Sequence, residues 1–126
     1  MRPMGDIQGT FRVKRIYEPP ADDDGFRVLV DRLWPRGMPK EGAAVDLWLK
    51  DVAPSTELRK EFNHRPERFA DFSERYRREL DGNPAVETLL ELGAGHPRVT
   101  LLYAARNTVA NHALVLLDYL QGRRAG

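Results

Sequence analysis

The sequence predicts a small layered α/β domain in which a partly parallel, mixed sheet is flanked by helices. Three observations carry that reading. Two strand patterns precede residue 35, helical stripes fill most of 55–93, and a strongly apolar strand at 99–105 runs into a further helical stripe. Strands that alternate with helices in chain order belong to layered α/β folds.

Residues 1–10 carry Pro, two Gly and no periodicity, and read as a flexible N-terminal arm. A single domain then spans 11–122. Phe11, Val13 and Ile16 alternate imperfectly with Arg12, Lys14 and Arg15, a half-exposed strand ending at Tyr17. Asp22, Asp23 and Asp24 lead into Gly25 as a turn. Phe26–Trp34 has the apolar middle of a strand buried on both faces. The link between these strands is too short for a helical crossover, so they pair antiparallel or are not direct neighbours.

Pro35, Gly37, Pro39 and Gly42 keep the next stretch irregular, and Ala43–Asp51 is expected as a short helix or a covering segment. Ser55 is the expected N-cap of the first clear helix, with Leu58 and Phe62 one turn apart. Pro66 opens a second, striped by Phe69, Phe72, Tyr76 and Leu80. Asn83-Pro84 opens a third, with Val86, Leu89 and Leu90 inward and Gly93 as its stop. Val99–Ala105 is the clearest strand. Beyond it Val109, His112, Ala113, Leu116, Leu117 and Leu120 recur at helical spacing, and Gly122 ends the helix. The Val28 and Leu101 strands, joined by a long helical crossover, should be parallel and connected right-handedly.

Composition excludes several classes of function. The 126 residues contain no Cys, which rules out a disulfide scaffold, a thiolate zinc site, an iron–sulfur cluster and a cysteine nucleophile. Twenty Lys and Arg against nineteen Asp and Glu leave a formal charge of +1; a dedicated nucleic-acid binder usually carries a larger basic excess, so phosphate-backbone binding is not the default reading. No apolar run reaches the ~18 residues of a membrane span, and the first residues lack a signal-peptide core. A cytoplasmic protein is expected. The three His lie far apart with no metal-ligand spacing, so no metal site is expected.

In an open α/β sheet, ligands bind beyond the carboxyl ends of the parallel strands. That rule selects Asp31–Gly37, which leaves the second strand, and Arg106-Asn107-Thr108, which joins the last strand to the last helix. Arg36 and Arg106 suit bidentate contacts to phosphate or carboxylate, and Asn107/Thr108 would open a helix whose N–H groups face an anion. Asp31 ends an apolar strand and His112 interrupts an apolar stripe, so both are candidate catalytic, proton-transferring residues. The plainer roles are a loop-anchoring Asp and a core His bonded to a carbonyl. Trp34 and Trp48 either stack on a ligand ring or fill the core under an irregular loop.

The blocks VKRIYE, DGFRVLVDRLWPRG, WLKDVAPSTELRKEF, FSERYRREL and VTLLYAARNTVANHALVLLDYL span about residues 12 to 120. In these blocks the chain resembles the YeaO-like family of small bacterial proteins, part of a superfamily of domains of unknown function. The resemblance implies a fold and a candidate pocket without an attached reaction. Its recurring polar positions map to Asp31, Arg32, Arg36, Ser55, Thr56, Arg59, Tyr103, Asn111 and His112. More distant relatives carry cysteine near the last strand and helix; this chain has none, so no thiol mechanism carries over.

The first reading is a small-ligand binder or enzyme with a polar, anion-recognising pocket at the carboxyl ends of the parallel strands. A phosphate-bearing small molecule is the expected partner, and no cofactor is named. Arg32, Arg36, Ser55, Thr56, Arg59, Tyr103, Arg106, Asn107, Thr108 and Asn111 are the candidate ligand-binding residues, with Asp31 and His112 the proton-transfer pair. The alternative is a nucleic-acid-associated or regulatory, protein-interaction module without catalysis, using the Arg-bearing face from Arg59 to Arg78. Glu61, Glu67, Asp71, Glu74 and Glu79 on that face argue instead for self-paired, solvated helices.

Overall fold

Val99–Tyr103 is buried at every position, as the middle strand of a sheet covered on both faces must be. The computed structural model describes residues 10–125, so the expected arm lies almost wholly outside the described residues. The strands are Phe11–Arg15 (β1), Phe26–Leu29 (β2), Leu47–Trp48 (β3) and Val99–Tyr103 (β4). The helices are Lys40–Ala43 (α1), Thr56–Phe62 (α2), Phe69–Asp81 (α3), Ala85–Gly95 (α4) and His112–Ala125 (α5). The sheet order is β1-β4-β2-β3.

All three pairings are parallel, where the sequence predicts a partly parallel, mixed sheet. β1 and β2 are not neighbours but run parallel on either side of β4, so residues 16–25 return past β4 without an α-helix. β3 corrects the expectation of a helix or covering segment at 43–51. Val28 and Leu29 at the edge of β2 leave unmet backbone groups, which pairing with Leu47 and Trp48 satisfies. The helical piece falls earlier, at α1.

Successive strand residues point to opposite faces, and the core divides accordingly. Phe11, Val28, Val99 and Leu101 face α2 to α5, packing with Leu58, Phe62, Phe72, Tyr76, Leu89, Leu116 and Leu120. Leu29 and Leu102 face the other way, under Ile16, Ala43, Trp34, Met38 and Trp48. The two tryptophans therefore serve the core reading. Their indole N–H groups donate to the Met38 and Asp31 carbonyls, at 2.7 and 2.8 Å.

The second face also carries a row of polar residues. Arg12 and Arg27 flank Thr100 in register, and Asp24 closes over them. Its buried carboxylate accepts from Arg12 (2.8 Å), Lys14 (3.0 Å), Arg27 and the Ala21 amide (3.0 Å). Burial pushes the Asp24 carboxyl up, but the Ala21 amide, Lys14, Arg12 and Arg27 outweigh it and hold the group below the usual carboxylate range. Gly25 follows at φ +67°, and a Cβ there would meet the Arg98 carbonyl at 2.2 Å.

Two helix ends differ from expectation. α4 continues past Gly93, which is buried within it, to Gly95, and α5 continues past Gly122 to Ala125. α5 also begins late. Asn111 is its cap, because Oδ1 accepts the Leu114 amide at 3.0 Å; Val109 stays outside the helix and exposed.

Candidate functional site at the carboxyl edge of the sheet

β2 and β4 end side by side, and α5 starts above them. Asp31, two residues beyond β2, accepts the Ala104 amide on Oδ2 at 3.0 Å. His112, the first residue of α5, brings Nε2 to 3.1 Å from the Val30 carbonyl and 3.2 Å from Asp31 Oδ1. A carbonyl only accepts, so Nε2 carries the proton and the neutral ring keeps its lone pair on Nδ1. Because that proton is directed at Val30, the buried Asp31 Oδ1 has no hydrogen bond of its own, only the charge-dependent approach of the ring. His112 Nδ1 has no partner among the described residues. Tyr76 meets the imidazole edge-on at 6.2 Å, and its hydroxyl donates to the Val52 carbonyl at 2.6 Å. Burial, with Glu79 and Asp31 nearby, pushes the Tyr76 phenol up, so it stays neutral.

The expected helix start at Asn107/Thr108 is corrected here. Asn107 Oδ1 accepts the Val109 and Ala110 amides at 2.9 Å, capping a turn that precedes the helix. Those N–H groups are spent on the side chain. Asn111, which is buried, donates to the Asn107 carbonyl at 2.9 Å and hydrogen-bonds Tyr103. Burial and Glu18 push the Tyr103 phenol up, against Arg15 and that Asn111 bond. Thr108 is exposed.

A second group sits where β3 leads into α2. The Arg32 guanidinium donates to the Ala53 and Pro54 carbonyls at 3.2 and 3.3 Å. Ser55 caps α2, accepting from Leu58 at 3.2 Å while its hydroxyl and amide donate to Glu79 at 2.6 and 2.9 Å. Arg32 and Ser55 are therefore engaged in holding the chain. Thr56 and Arg59 are exposed on the first turns of α2.

Arg36 and Arg106 differ from Arg32. Both are exposed, and neither guanidinium has a partner among the described residues. Two residues that the sequence did not single out tie their loops together. Arg15 donates to the Ala104 and Ala105 carbonyls at 3.0 and 2.8 Å. It also stacks 4.9 Å over the Tyr17 ring, and the Tyr17 hydroxyl donates to the Arg36 carbonyl at 2.9 Å. The only local hint was the break in alternation at Arg15-Ile16-Tyr17.

The arginines of α3 are paired, while Arg59 of α2 makes no ion pair among the described residues. Arg75 meets Glu61 and Asp71, Arg77 meets Asp118, and Arg78 meets Glu74. Among the described residues no cluster of three or more His, Cys, Asp or Glu could hold a metal ion, and no helix is long and apolar enough to cross a membrane.

A family model described as the inactive DUF488-N3 subclade matches residues 10–125. The chain belongs to that family. It is 48% identical over 108 residues to the uncharacterized protein YeaO of Escherichia coli strain K12, covering 86% of this chain and 94% of YeaO. It is likewise 48% identical over 112 residues to an uncharacterized Mycobacterium tuberculosis protein, covering 89% and 94% of the two chains. No solved structure gives a significant match. The resemblance read from LVDRLWPRG and its companion blocks is thereby shown, and the family's description attaches the word inactive to the subclade.

Proposed function

We propose that this chain binds a small phosphate-bearing ligand at the carboxyl edge of its sheet, between the 35–37 and 104–108 loops. The observation that carries the reading is the contrast among its arginines. Arg15 and Arg32 spend their donors on backbone carbonyls, and the α3 arginines meet acids, whereas Arg36 and Arg106 stand without partners among the described residues. Guanidinium groups of that kind, on loops braced by Arg15 and Tyr17, suit bidentate contact with an anion.

Asp31 does not spoil this charge balance. Its carboxylate is turned into the fold, with Oδ2 accepting the Ala104 amide and Oδ1 buried beside the His112 ring. His112 Nδ1 offers the ligand one acceptor, or one donor when the ring is protonated. The description of the family as inactive favours binding over turnover, and the Asp31–His112 pair then orients the ring instead of passing a proton through a reaction cycle.

Thermal shifts against sugar phosphates, nucleotides and inorganic phosphate test the reading. A ligand at about 100 times its Kd adds ~2.7 kcal/mol, a rise of several degrees for a domain of this size. A rise with a phosphate ester that Arg36→Ala abolishes is the expected result. A flat response across the panel would refute it.

A further inference from the structure

Among the described residues three large apolar side chains stand exposed: Tyr17 at 43%, Leu33 at 65% and Val109 at 78%. Single exposed apolar residues are ordinary. These three share a location, since each lies in a segment leaving the carboxyl end of a strand: Tyr17 after β1, Leu33 after β2, Val109 after β4. Arg36 and Arg106, unpartnered among the described residues, lie in the same segments. Apolar and cationic groups are thus interleaved at one edge of the sheet.

Tyr17 is the most constrained of the three. The Arg15 guanidinium covers one face of its ring, and the hydroxyl is tied to the Arg36 carbonyl. Its exposure therefore belongs to the remaining face and edge of a ring already held in place, so stacking there costs little side-chain entropy. The tie also sets the ring beside Arg36, whose guanidinium has no partner among the described residues. A sugar phosphate would use the cation and leave the ring idle; a flat base carrying a phosphate would use both. Resting on the phosphate reading above, we propose that the ligand is a free nucleotide, its base stacked on the open face of Tyr17 and its phosphate held by Arg36.

A free nucleotide fits better than a nucleic-acid strand. Strand-binding grooves follow the backbone with a track of cations. Here the arginines of α3 are paired with acids, and the chain's formal charge is only +1.

Calorimetric titration of the full chain with AMP, ribose 5-phosphate, adenosine and a short single-stranded oligonucleotide tests the proposal at one ionic strength. AMP is expected to bind roughly 5- to 150-fold more tightly than ribose 5-phosphate, the range of one base–aromatic stack. Tyr17→Leu should bring AMP down to the ribose 5-phosphate level, whereas Tyr17→Phe, which keeps the ring, should preserve the preference. Arg36→Ala should weaken AMP and ribose 5-phosphate alike. Equal binding of the two phosphates overturns the nucleotide assignment and leaves the phosphate reading standing. Silence from both phosphates overturns both. Adenosine binding as tightly as AMP removes the role of Arg36, and an oligonucleotide binding far more tightly than AMP overturns the free nucleotide.

Discussion

His112 Nε2 lies 3.2 Å from Asp31 Oδ1 and 3.1 Å from the Val30 carbonyl, so the first residue of the last helix is latched to the end of the second strand. Asp31 extends the latch to β4 through the Ala104 amide. Two strands and a helix start are thereby held at the edge where ligands of parallel α/β sheets bind.

Removing Asp31 should loosen that junction. Asp31→Ala strands the half-buried Ala104 amide, and is expected to cost about 1–3 kcal/mol in urea unfolding. Asp31→Asn keeps an acceptor for Ala104 and should cost less. Equal losses would show that the hydrogen bond to Ala104 contributes nothing.

The cap of α2 is expected to behave as a unit with Glu79. Ser55→Ala should destabilise by about 1 kcal/mol. Glu79→Gln should cost less, and the double variant should fall short of the sum, because both remove the same contact. Strict additivity in denaturant midpoints would contradict that coupling.

Asp24 makes stability depend on pH on the acid side. Its folded carboxyl is held below the ordinary value, so its contribution is complete above the unfolded pKa of about 3.9 and is lost as pH falls below it. Melting curves should steepen downward below about pH 4. Asp24→Asn should flatten that limb while costing about 3–5 kcal/mol at neutral pH, because Arg27 is left buried without its counter-charge.

The arginines should separate into two kinds. Arg32→Ala is expected to lose about 1 kcal/mol through its bonds to Ala53 and Pro54. Arg36→Ala and Arg106→Ala should leave the melting temperature of the free protein nearly unchanged. A large loss in both would make them structural and remove the basis of the ligand site.

Glu18 lies close enough to Tyr103 to raise its phenol, and so brings negative charge near the proposed site. Glu18→Gln should tighten phosphate binding about 2- to 5-fold, the scale of one exposed charge interaction. Unchanged affinity would put the anion elsewhere.

Asp31 and His112 were legible in the sequence because each breaks an apolar pattern where the topology places a sheet edge. Ser55 was legible because a cap is a local device. Asn111 was not, since Asn107-Thr108 satisfies the same local rule; the exposure of Val109 decides between them, and that depends on packing. Asp22, Asp23 and Asp24 are alike in sequence, and only the approach of Arg12, Lys14 and Arg27 makes the third a buried anchor. The roles of Arg15 and Tyr17 carry little local signal for the same reason. Their partners lie about ninety and nineteen residues away, at Ala105 and Arg36.

The most direct measurement is an amide NMR titration of the full chain with ribose 5-phosphate. The account predicts shifts at residues 15–17, 36–37, 104–108 and 111–112 that disappear in the Arg36→Ala, Arg106→Ala double variant. Shifts confined to the paired arginines of α3, or none at all, would contradict it.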